Sequence, residues 1–291
     1  MMDGSKAILQ GRGLSKSFGR GDAREQVLFD VDIDVREGEC LAIIGGSGSG
    51  KSTLTRILLG LETADAGVVR YDGLAVNASQ SVADATVVGA NVDSGAARVK
   101  PSSLSAMRKL PGFQALRRES GLVFQDPFGS LDPHWSVWRS VAEPVMLRHK
   151  DMPREAVLER VDQALHTVGL DPAVFARRHP ANLSGGQAQR VAIARAIVNE
   201  PRVILADEPM SAIDVAARVQ ILEAFRAIRQ ARPGTALIVV SHDLGVVQHL
   251  ADRIVVLHDG RVEEVGETDA MLADSRNAYT RQLIDAASMR W

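Results

Sequence analysis

A glycine-rich loop between an apolar run and a helical pattern constrains this chain more than any other stretch. The apolar run is Cys40 to Ile44, and after the loop the residues Leu54, Ile57, Leu58 and Leu61 recur at helical spacing. The loop consists of Gly45, Gly46, Ser47, Gly48, Ser49, Gly50, Lys51, Ser52 and Thr53. Glycines let the chain curl until successive N–H groups converge on one anion, and the helix N-terminus adds its dipole. Strand, glycine loop and helix in this order predict a phosphate-binding loop.

Two side chains of the loop extend this prediction from phosphate to a nucleoside triphosphate. Lys51 provides a mobile cation for the β- and γ-phosphates, and Ser52 provides a hydroxyl oxygen for Mg²⁺. A flexible Gly/Ser linker is the alternative. It is disfavoured because the loop lies between a strand whose apolar sequence predicts burial and an amphipathic helix. The sequence therefore predicts binding of a nucleoside triphosphate together with Mg²⁺.

The composition is that of a globular protein with no sign of nucleic-acid binding. The chain has 291 residues, 45% of them hydrophobic, and can form one large or two small domains. A net charge of −2 and a pI near 6.4 give no basic footprint. The single Cys40 predicts a small buried side chain and a reducing, intracellular setting. No run of about 18 apolar residues occurs and the N-terminus lacks a signal-peptide core, so we expect any membrane role to come through a partner.

Alternating residues ahead of the loop predict a half-exposed antiparallel strand. One face would carry Val27, Phe29, Val31, Ile33 and Val35, and the other Leu28, Asp30, Asp32 and Asp34. A second short strand, Val68 to Tyr71, ends in the turn at Asp72 and Gly73. An antiparallel flank is therefore expected beside the nucleotide core.

Continuous apolar strands alternate with amphipathic helices in the rest of the chain. The predicted strands are Gly121 to Gln125, Val203 to Ala206, Leu237 to Val240 and Ile254 to Leu257. One intervening helix carries Val219, Leu222, Phe225 and Ile228. This pattern predicts a mostly parallel sheet covered on both faces, with ligands beyond the carboxyl ends of the strands. Five polar residues fall at such ends: Lys51, Gln125, Asp207, Glu208 and His242.

Two further regions interrupt this alternation. Residues 126 to 187 are predicted to be helical, with the stripe Val157, Val161, Leu165 and Val168, a start at Pro153 and an end at Gly169. Residues 77 to 105 are rich in small and polar side chains. They are predicted to form a solvated loop insertion, and a regulatory or partner-binding insertion is the alternative.

The acidic pair Asp207 and Glu208 predicts the chemistry. A lone Asp at a strand end would most simply cap the next helix, but two carboxylates in a chain with a phosphate loop favour hydrolysis. Asp207 would hold Mg²⁺, and Glu208 would polarise the attacking water. His242 would donate to the γ-phosphate or fix Glu208, although a His there alone could be structural. Ser184 is predicted to be the N-cap of a further helix whose start suits an anion, a weak signal by itself.

In this order the motifs resemble the ATPase subunit of an ATP-binding cassette (ABC) transporter, and the resemblance covers most of the chain. The matching residues are Gly45 to Thr53 (Walker A), Gln125 (Q-loop), Leu183 to Gln187 (signature), Val203 to Glu208 (Walker B), Ser211-Ala212-Ile213-Asp214 (D-loop) and His242 (switch histidine). Phe18 matches the aromatic residue that stacks on adenine, with a packing role as the alternative.

The resemblance implies an α/β P-loop NTPase fold of the ABC type, made of one domain over residues 1–291. Its nucleotide-binding core would comprise residues 1–125 and 188–275, its helical subdomain residues 126–187 and its C-terminal helix residues 276–291. Glu208, His242, Gln125 and Lys51 would act in catalysis. Besides the phosphate loop and Phe18, the nucleotide would meet Ser184, Gly185, Gly186, Gln187 and Asp214, and the metal would meet Ser52, Gln125 and Asp207.

Finer features resemble the oligopeptide, dipeptide and nickel importers. These are the stretches Val123 to Pro133 and Asn277 to Leu283. The chain departs from that branch by ending at Trp291 without a longer cysteine-bearing tail, and by its insertion, which puts the transported solute in doubt.

The branch implies a set of partners. The partners are a second ATPase subunit, transmembrane permease subunits and a solute-binding protein. The second ATPase subunit would be identical or homologous and would form a head-to-tail dimer with this chain. The chain would lie at the cytoplasmic face of the inner membrane. Each ATP would lie between Lys51 of one subunit and Ser184 to Gly186 of the other. Two other classes of this superfamily are disfavoured. A ribosome-acting ABC protein would usually carry two Walker A motifs, and this sequence has one. A DNA-repair ATPase would carry a long heptad coiled coil, and the sequence shows none. An ATPase subunit of a soluble carbon-phosphorus lyase-type complex stays open as the alternative.

Overall fold

The computed structural model describes residues 6–19, 23–77, 103–211 and 213–288. Most of the predicted 77–105 insertion and Ala212 of the D-loop lie outside these ranges. The chain forms two compact units. The first comprises Met1–Glu37, Ile44–Arg118 and Val255–Val265, and the second comprises Gly38–Ile43, Glu119–Ile254 and Gly266–Trp291.

Strands and helices are interspersed along the chain. The strands are β1 (Ala7–Phe18), β2 (Glu25–Arg36), β3 (Cys40–Ile44), β4 (Ala66–Tyr71), β5 (Leu74–Ala75), β6 (Ser120–Val123), β7 (Val203–Asp207), β8 (Ala236–Val240), β9 (Arg253–His258) and β10 (Arg261–Glu267). The helices are α1 (Lys51–Leu58), α2 (Leu104–Met107), α3 (Pro111–Glu119), α4 (Pro127–Ser130), α5 (Val137–Arg148), α6 (Arg154–Thr167), α7 (Pro172–Phe175), α8 (Gly185–Ile197), α9 (Val215–Ala231), α10 (Leu244–Leu250), α11 (Thr268–Asp274) and α12 (Ala278–Ser288). None of the helices in these ranges is long and apolar enough to cross a membrane.

The first unit contains the predicted antiparallel flank, in the order β2-β1-β4-β5. Leu9 pairs with Val35 of β2 on one side and with Tyr71 of β4 on the other. All three side chains are fully buried. The flank is thus a sheet with one apolar face packed into the core, as the alternation predicts.

The predicted face assignment within β2 is wrong at its beginning. Leu28 and Val31 are both buried, whereas Val27 and Phe29 are only half-buried. Asp30 has a φ of +53°, and the register with β1 shifts between Val31 and Leu28. This irregularity moves the earlier part of β2 to the opposite alternation, because one residue out of register exchanges the two faces of a strand.

The second unit contains a parallel sheet in which β3, β8, β7 and β6 lie side by side in this order. Every residue of β3 and β8 is buried, which explains why these strands appear in the sequence as continuous apolar runs. Cys40 is fully buried, as predicted, and this burial raises the pKa of its thiol.

Helices α4 to α7 occupy the stretch predicted to be helical, and α6 ends before Gly169, whose φ is +70°. The predicted division into a core and a 126–187 subdomain stays a prediction. Two residues of the predicted helical stripes are misplaced. Leu61 lies beyond the end of α1 and is 49% exposed, and Val219 is 50% exposed on α9, where Ile221 is buried instead.

Candidate active site

The phosphate loop has the backbone shape that its glycines predict. Gly45, Gly48 and Gly50 have φ values of +153°, +76° and +98°, a region that L-residues with a Cβ adopt only with strain. A Cβ on Gly45 would also lie 2.0 Å from the carbonyl oxygen of Leu257. Other residues at these positions would therefore open the loop.

The polar groups of the loop fit an anion. Helix α1 begins at Lys51 with no side-chain cap on its first N–H groups, so these donors and the positive end of the dipole are available to a ligand. The Lys51 ammonium donates to the carbonyl oxygens of Gly45 (2.9 Å) and Gly46 (2.7 Å). The Ser49 hydroxyl is buried and has no hydrogen-bond partner within the described ranges. A phosphate oxygen would satisfy such a group.

Phe18 ends β1 and is 43% exposed, as an adenine-stacking ring needs to be. The Lys16 ammonium lies 5.1 Å from the ring centroid, so one ring face already has a cation against it. Lys16 is buried and bonds Glu62 at 2.7 Å. Burial alone would raise the pKa of Glu62, but the hydrogen bonds from Lys16 and from the Thr63 N–H lower it. The stacking role of Phe18 stays a prediction.

In the second unit, three strand ends bring Gln125, Glu208 and His242 together. Glu208 directly follows β7, Gln125 lies two residues beyond β6, and His242 lies two residues beyond β8. The Nδ1 atom of His242 lies 3.3 Å from Oε1 of Glu208, and Nε2 of Gln125 lies 3.4 Å from Oε2. Polar residues at the carboxyl ends of these neighbouring parallel strands therefore meet at one edge of the sheet.

Glu208 is held in an unusual backbone conformation. Its φ is +43°, and its N–H donates to the Val240 carbonyl at the end of β8 (3.0 Å). Its side chain is 23% exposed, whereas that of His242 is 55% exposed. The carboxylate is thus partly enclosed, with one neighbour on each oxygen, and can accept a proton from a water molecule placed beside it.

Some contacts of this cluster involve residues for which the sequence suggests no individual role. The Gln125 amide also donates to Ser211 (3.3 Å). Arg218 donates to the carbonyl oxygen of Ile213 and to the carboxylate of Asp243, both at 2.9 Å. Asp243 in turn caps α10. Arg218 therefore joins the loop before α9 to the loop that carries His242. The contact with Asp243 spans 25 residues and leaves no sequence pattern by which it could be found.

The predicted N-cap at Ser184 is confirmed. Ser184 accepts from the N–H of Gln187 (3.3 Å), and the Gln187 side chain accepts from the N–H of Ser184 (3.0 Å), which is a capping box. The next two residues, both glycines, differ from each other. A Cβ on Gly186 would lie 2.4 Å from the Cβ of Ala217, whereas the nearest atom to a Cβ on Gly185 would be 3.6 Å away.

Asp214 serves as the N-cap of α9, accepting from the Ala217 N–H at 2.9 Å. Its predicted contact with a nucleotide stays a prediction, as do the metal-binding roles of Ser52, Gln125 and Asp207. Within the described residues, no group of three or more His, Cys, Asp or Glu side chains forms a metal centre by itself. Mg²⁺ bound with a nucleotide usually takes only one or two protein carboxylates, because the phosphates and waters supply the other oxygens.

Comparison with known proteins identifies the family. The family model described as ABC transporter matches residues 28–211. The Di/tripeptide transport ATP-binding protein DppF of Pseudomonas aeruginosa is 35% identical over 273 residues, which is 94% of this chain and 75% of that protein. The Oligopeptide transport ATP-binding protein OppF of Escherichia coli is 33% identical over 293 residues, 98% of this chain and 78% of that protein.

The solved structures agree with these relatives. A dimeric ATP-binding cassette in a post-hydrolysis state, bound to ADP and Pi, is 29% identical, with a TM-score of 0.69 and coverage of 90% of this chain and 99% of that one. The predicted P-loop fold and the resemblance are both confirmed. The chain therefore belongs to the ABC transporter family, as a subunit that binds and hydrolyses ATP.

Proposed function

We propose that this chain powers the import of peptides or a related small solute through transmembrane permease subunits. The observation that carries the proposal is that relatives aligned over 94% and 98% of the chain are named for di/tripeptide and oligopeptide transport. These names favour peptides over nickel. The chain would work at the cytoplasmic face of the inner membrane, supplied by a solute-binding protein.

The phosphate loop would hold the nucleotide through the N–H groups of residues 45–53, the Lys51 ammonium and the buried Ser49 hydroxyl. Lys51 donates to two loop carbonyls. On binding, its charge would turn to the phosphates, which form stronger, charge-assisted hydrogen bonds than neutral carbonyls do. Ser52, Asp207 and Gln125 would hold Mg²⁺, which supplies positive charge that neutralises the phosphates.

Glu208 would act as the general base. A water oxygen would attack the γ-phosphorus while one water proton moves to the Glu208 carboxylate. The bond from the γ-phosphorus to the bridging oxygen then breaks, so that ADP leaves and inorganic phosphate is formed. His242 and Gln125, each within 3.4 Å of one carboxylate oxygen, keep the carboxylate from rotating away. General-base catalysis of this kind contributes about 10²- to 10⁴-fold.

Two chains would form a head-to-tail dimer, with Ser184 to Gly186 of one completing the site at Lys51 of the other. The dimeric cassette bound to ADP and Pi supports the pairing of two chains. The N-terminus of α8 supports the shared site, because it starts with small residues that admit a phosphate. The second subunit can be identical or homologous.

Reconstitution tests the proposal. The native complex would be purified from membranes through a tag on this chain, its subunits identified by mass spectrometry, and the complex placed in proteoliposomes. We expect permease chains and an ATPase rate that rises with peptide-loaded binding protein, but not with nickel. A matched complex with Glu208→Gln should assemble without hydrolysis. Copurification with soluble carbon-phosphorus lyase enzymes, and no permease, would support the alternative instead.

A further inference from the structure

Two side chains of helix α8 contact the segment that contains Gln125, one at each end of that segment. Gln189 lies on α8 and donates from Nε2 to the carbonyl oxygen of Phe124 (3.3 Å), directly before Gln125. Arg195, six residues further along the same helix, donates to the carbonyl oxygen of Ser130. The segment Phe124 to Ser130 is therefore attached to α8 by two side chains.

This segment has little burial of its own. Of its seven residues Pro127 alone is buried, and Phe124 and Phe128 are 46% and 45% exposed. A segment with few buried apolar contacts is easily displaced unless polar contacts fix it. The position of Gln125 next to Glu208 thus depends on the hydrogen bonds that reach the segment.

Gln189 is an unusual residue for such a place. Its side chain is completely buried, and its Oε1 atom has no hydrogen-bond partner in the described part of the chain. A buried amide with an unmade bond lowers stability relative to an apolar side chain of the same volume. An exception to the usual satisfaction of buried polar groups calls for an explanation, and the bond from Gln189 to the segment of Gln125 offers a functional one.

We propose that Gln189, with Arg195, is a positioning residue that fixes Gln125 relative to Glu208, so that α8 and the Gln125 segment move as one body. Because Ser184 caps α8 and its first turn starts at Gly185, a displacement at that helix start would reach Gln125 through Gln189. The inference rests on the proposed role of Gln125 in hydrolysis.

Gln189→Met tests the inference, because methionine has a similar shape and removes both the donor and the unsatisfied acceptor. We expect an unfolding midpoint equal to or above that of the wild type, together with a kcat about two- to tenfold lower, the scale of one hydrogen bond. The KM for ATP should change less than about twofold. Hydrogen exchange of residues 124–131 should accelerate, with β7 unchanged. Arg195→Lys, which keeps the charge, should also lower kcat. It provides the test of the inference if Gln189→Met folds poorly.

Arg190→Met is the matched control. Arg190 is the next residue on α8 and donates to the carbonyls of Val168 and Gly169, away from Gln125. It should lower the unfolding midpoint and leave kcat per folded molecule unchanged. If Gln189→Met lowers stability and keeps kcat, Gln189 is structural and the inference is wrong.

Gln125→Ala separates failure of this inference from failure of the proposed site. If Gln125→Ala lowers kcat and Gln189→Met lowers it no further in that background, the two residues act together. If Gln125→Ala lowers kcat and Gln189→Met alone does not, only the positioning role is refuted. Wild-type kcat in Gln125→Ala refutes both.

Discussion

Gly186→Ala should destabilise the second unit, whereas Gly185→Ala, its neighbour in the same helical turn, should not. Helix propensity favours alanine at both positions, so the difference isolates the contact. A Cβ at Gly186 would lie 2.4 Å from the Cβ of Ala217, but two carbons need about 3.5–4.0 Å. Helices α8 and α9 would have to separate by about 1 Å or more. Overpacking of this kind costs about 1–3 kcal/mol, while the 3.6 Å contact at Gly185 is an ordinary one.

A third variant shows whether Ala217 is the cause. Ala217→Gly alone should cost about 1 kcal/mol, because glycine weakens the helix. In the Gly186→Ala background it would also remove the opposing methyl group. The double variant should therefore be more stable than the sum of the two single effects by about 1–3 kcal/mol.

Urea denaturation measures these differences. Tryptophan fluorescence reports on the second unit, since Trp135 and Trp138 belong to it, and circular dichroism reports on the whole chain. Midpoints are comparable where the slopes agree. If the two single effects add within about 0.5 kcal/mol, or if the two glycine variants lose equal stability, Gly186 is not needed for packing on Ala217 and its small size serves another contact.

Substitutions at the remaining sites should separate ATP binding, turnover and folding. Glu208→Gln should bind ATP normally and lose about 10²- to 10⁴-fold in kcat; a rate within twofold of wild type contradicts the general-base role. Lys51→Ala should lose affinity in a titration with a fluorescent ATP analogue, because it removes the positive charge that binds the phosphates; unchanged affinity contradicts the loop assignment. Ser184→Arg should bind ATP but not hydrolyse it, and mixing it with Lys51→Ala should restore one site per mixed dimer; full hydrolysis by a monomeric Ser184→Arg argues against the shared site. Cys40 should react with a thiol reagent at about pH 8 only after unfolding, because burial disfavours the thiolate; fast labelling of folded protein would show that β3 opens.

The parts of the site that sequence predicts are those fixed by local pattern or by topology. The glycines of the phosphate loop are needed where φ is positive, so their spacing alone indicates the turn. Gln125, Glu208 and His242 are far apart in sequence, but a parallel sheet places the ends of its strands at one edge. Their proximity follows once the strands are recognised.

Contacts that depend on side-chain reach could not be predicted in this way. The irregularity at Asp30 depends on the pairing with β1, and the alternating sequence gives no sign of it. The glycine at Gly186 suggests an approaching ligand when it is considered alone, whereas the structure places Ala217 against it. Gln189 bonds the backbone of a segment 65 residues earlier in the chain, and Arg218 bonds the carboxylate of Asp243 in the loop after β8. The partner of each such side chain depends on how the helices pack, so it can be identified only from the folded structure.

The backbone at Glu208 connects stability to function. A left-handed conformation costs a residue with a Cβ about 1–2 kcal/mol, and glycine would remove that cost. The bond from its N–H to Val240 keeps the turn in place. The same turn directs the carboxylate toward His242 and Gln125, and each of these residues contacts one of its two oxygens. A glycine here would give a more relaxed turn without the proton acceptor. The strain at this position is therefore best explained by the chemistry of its side chain, the direction of inference that an observed backbone outlier supports.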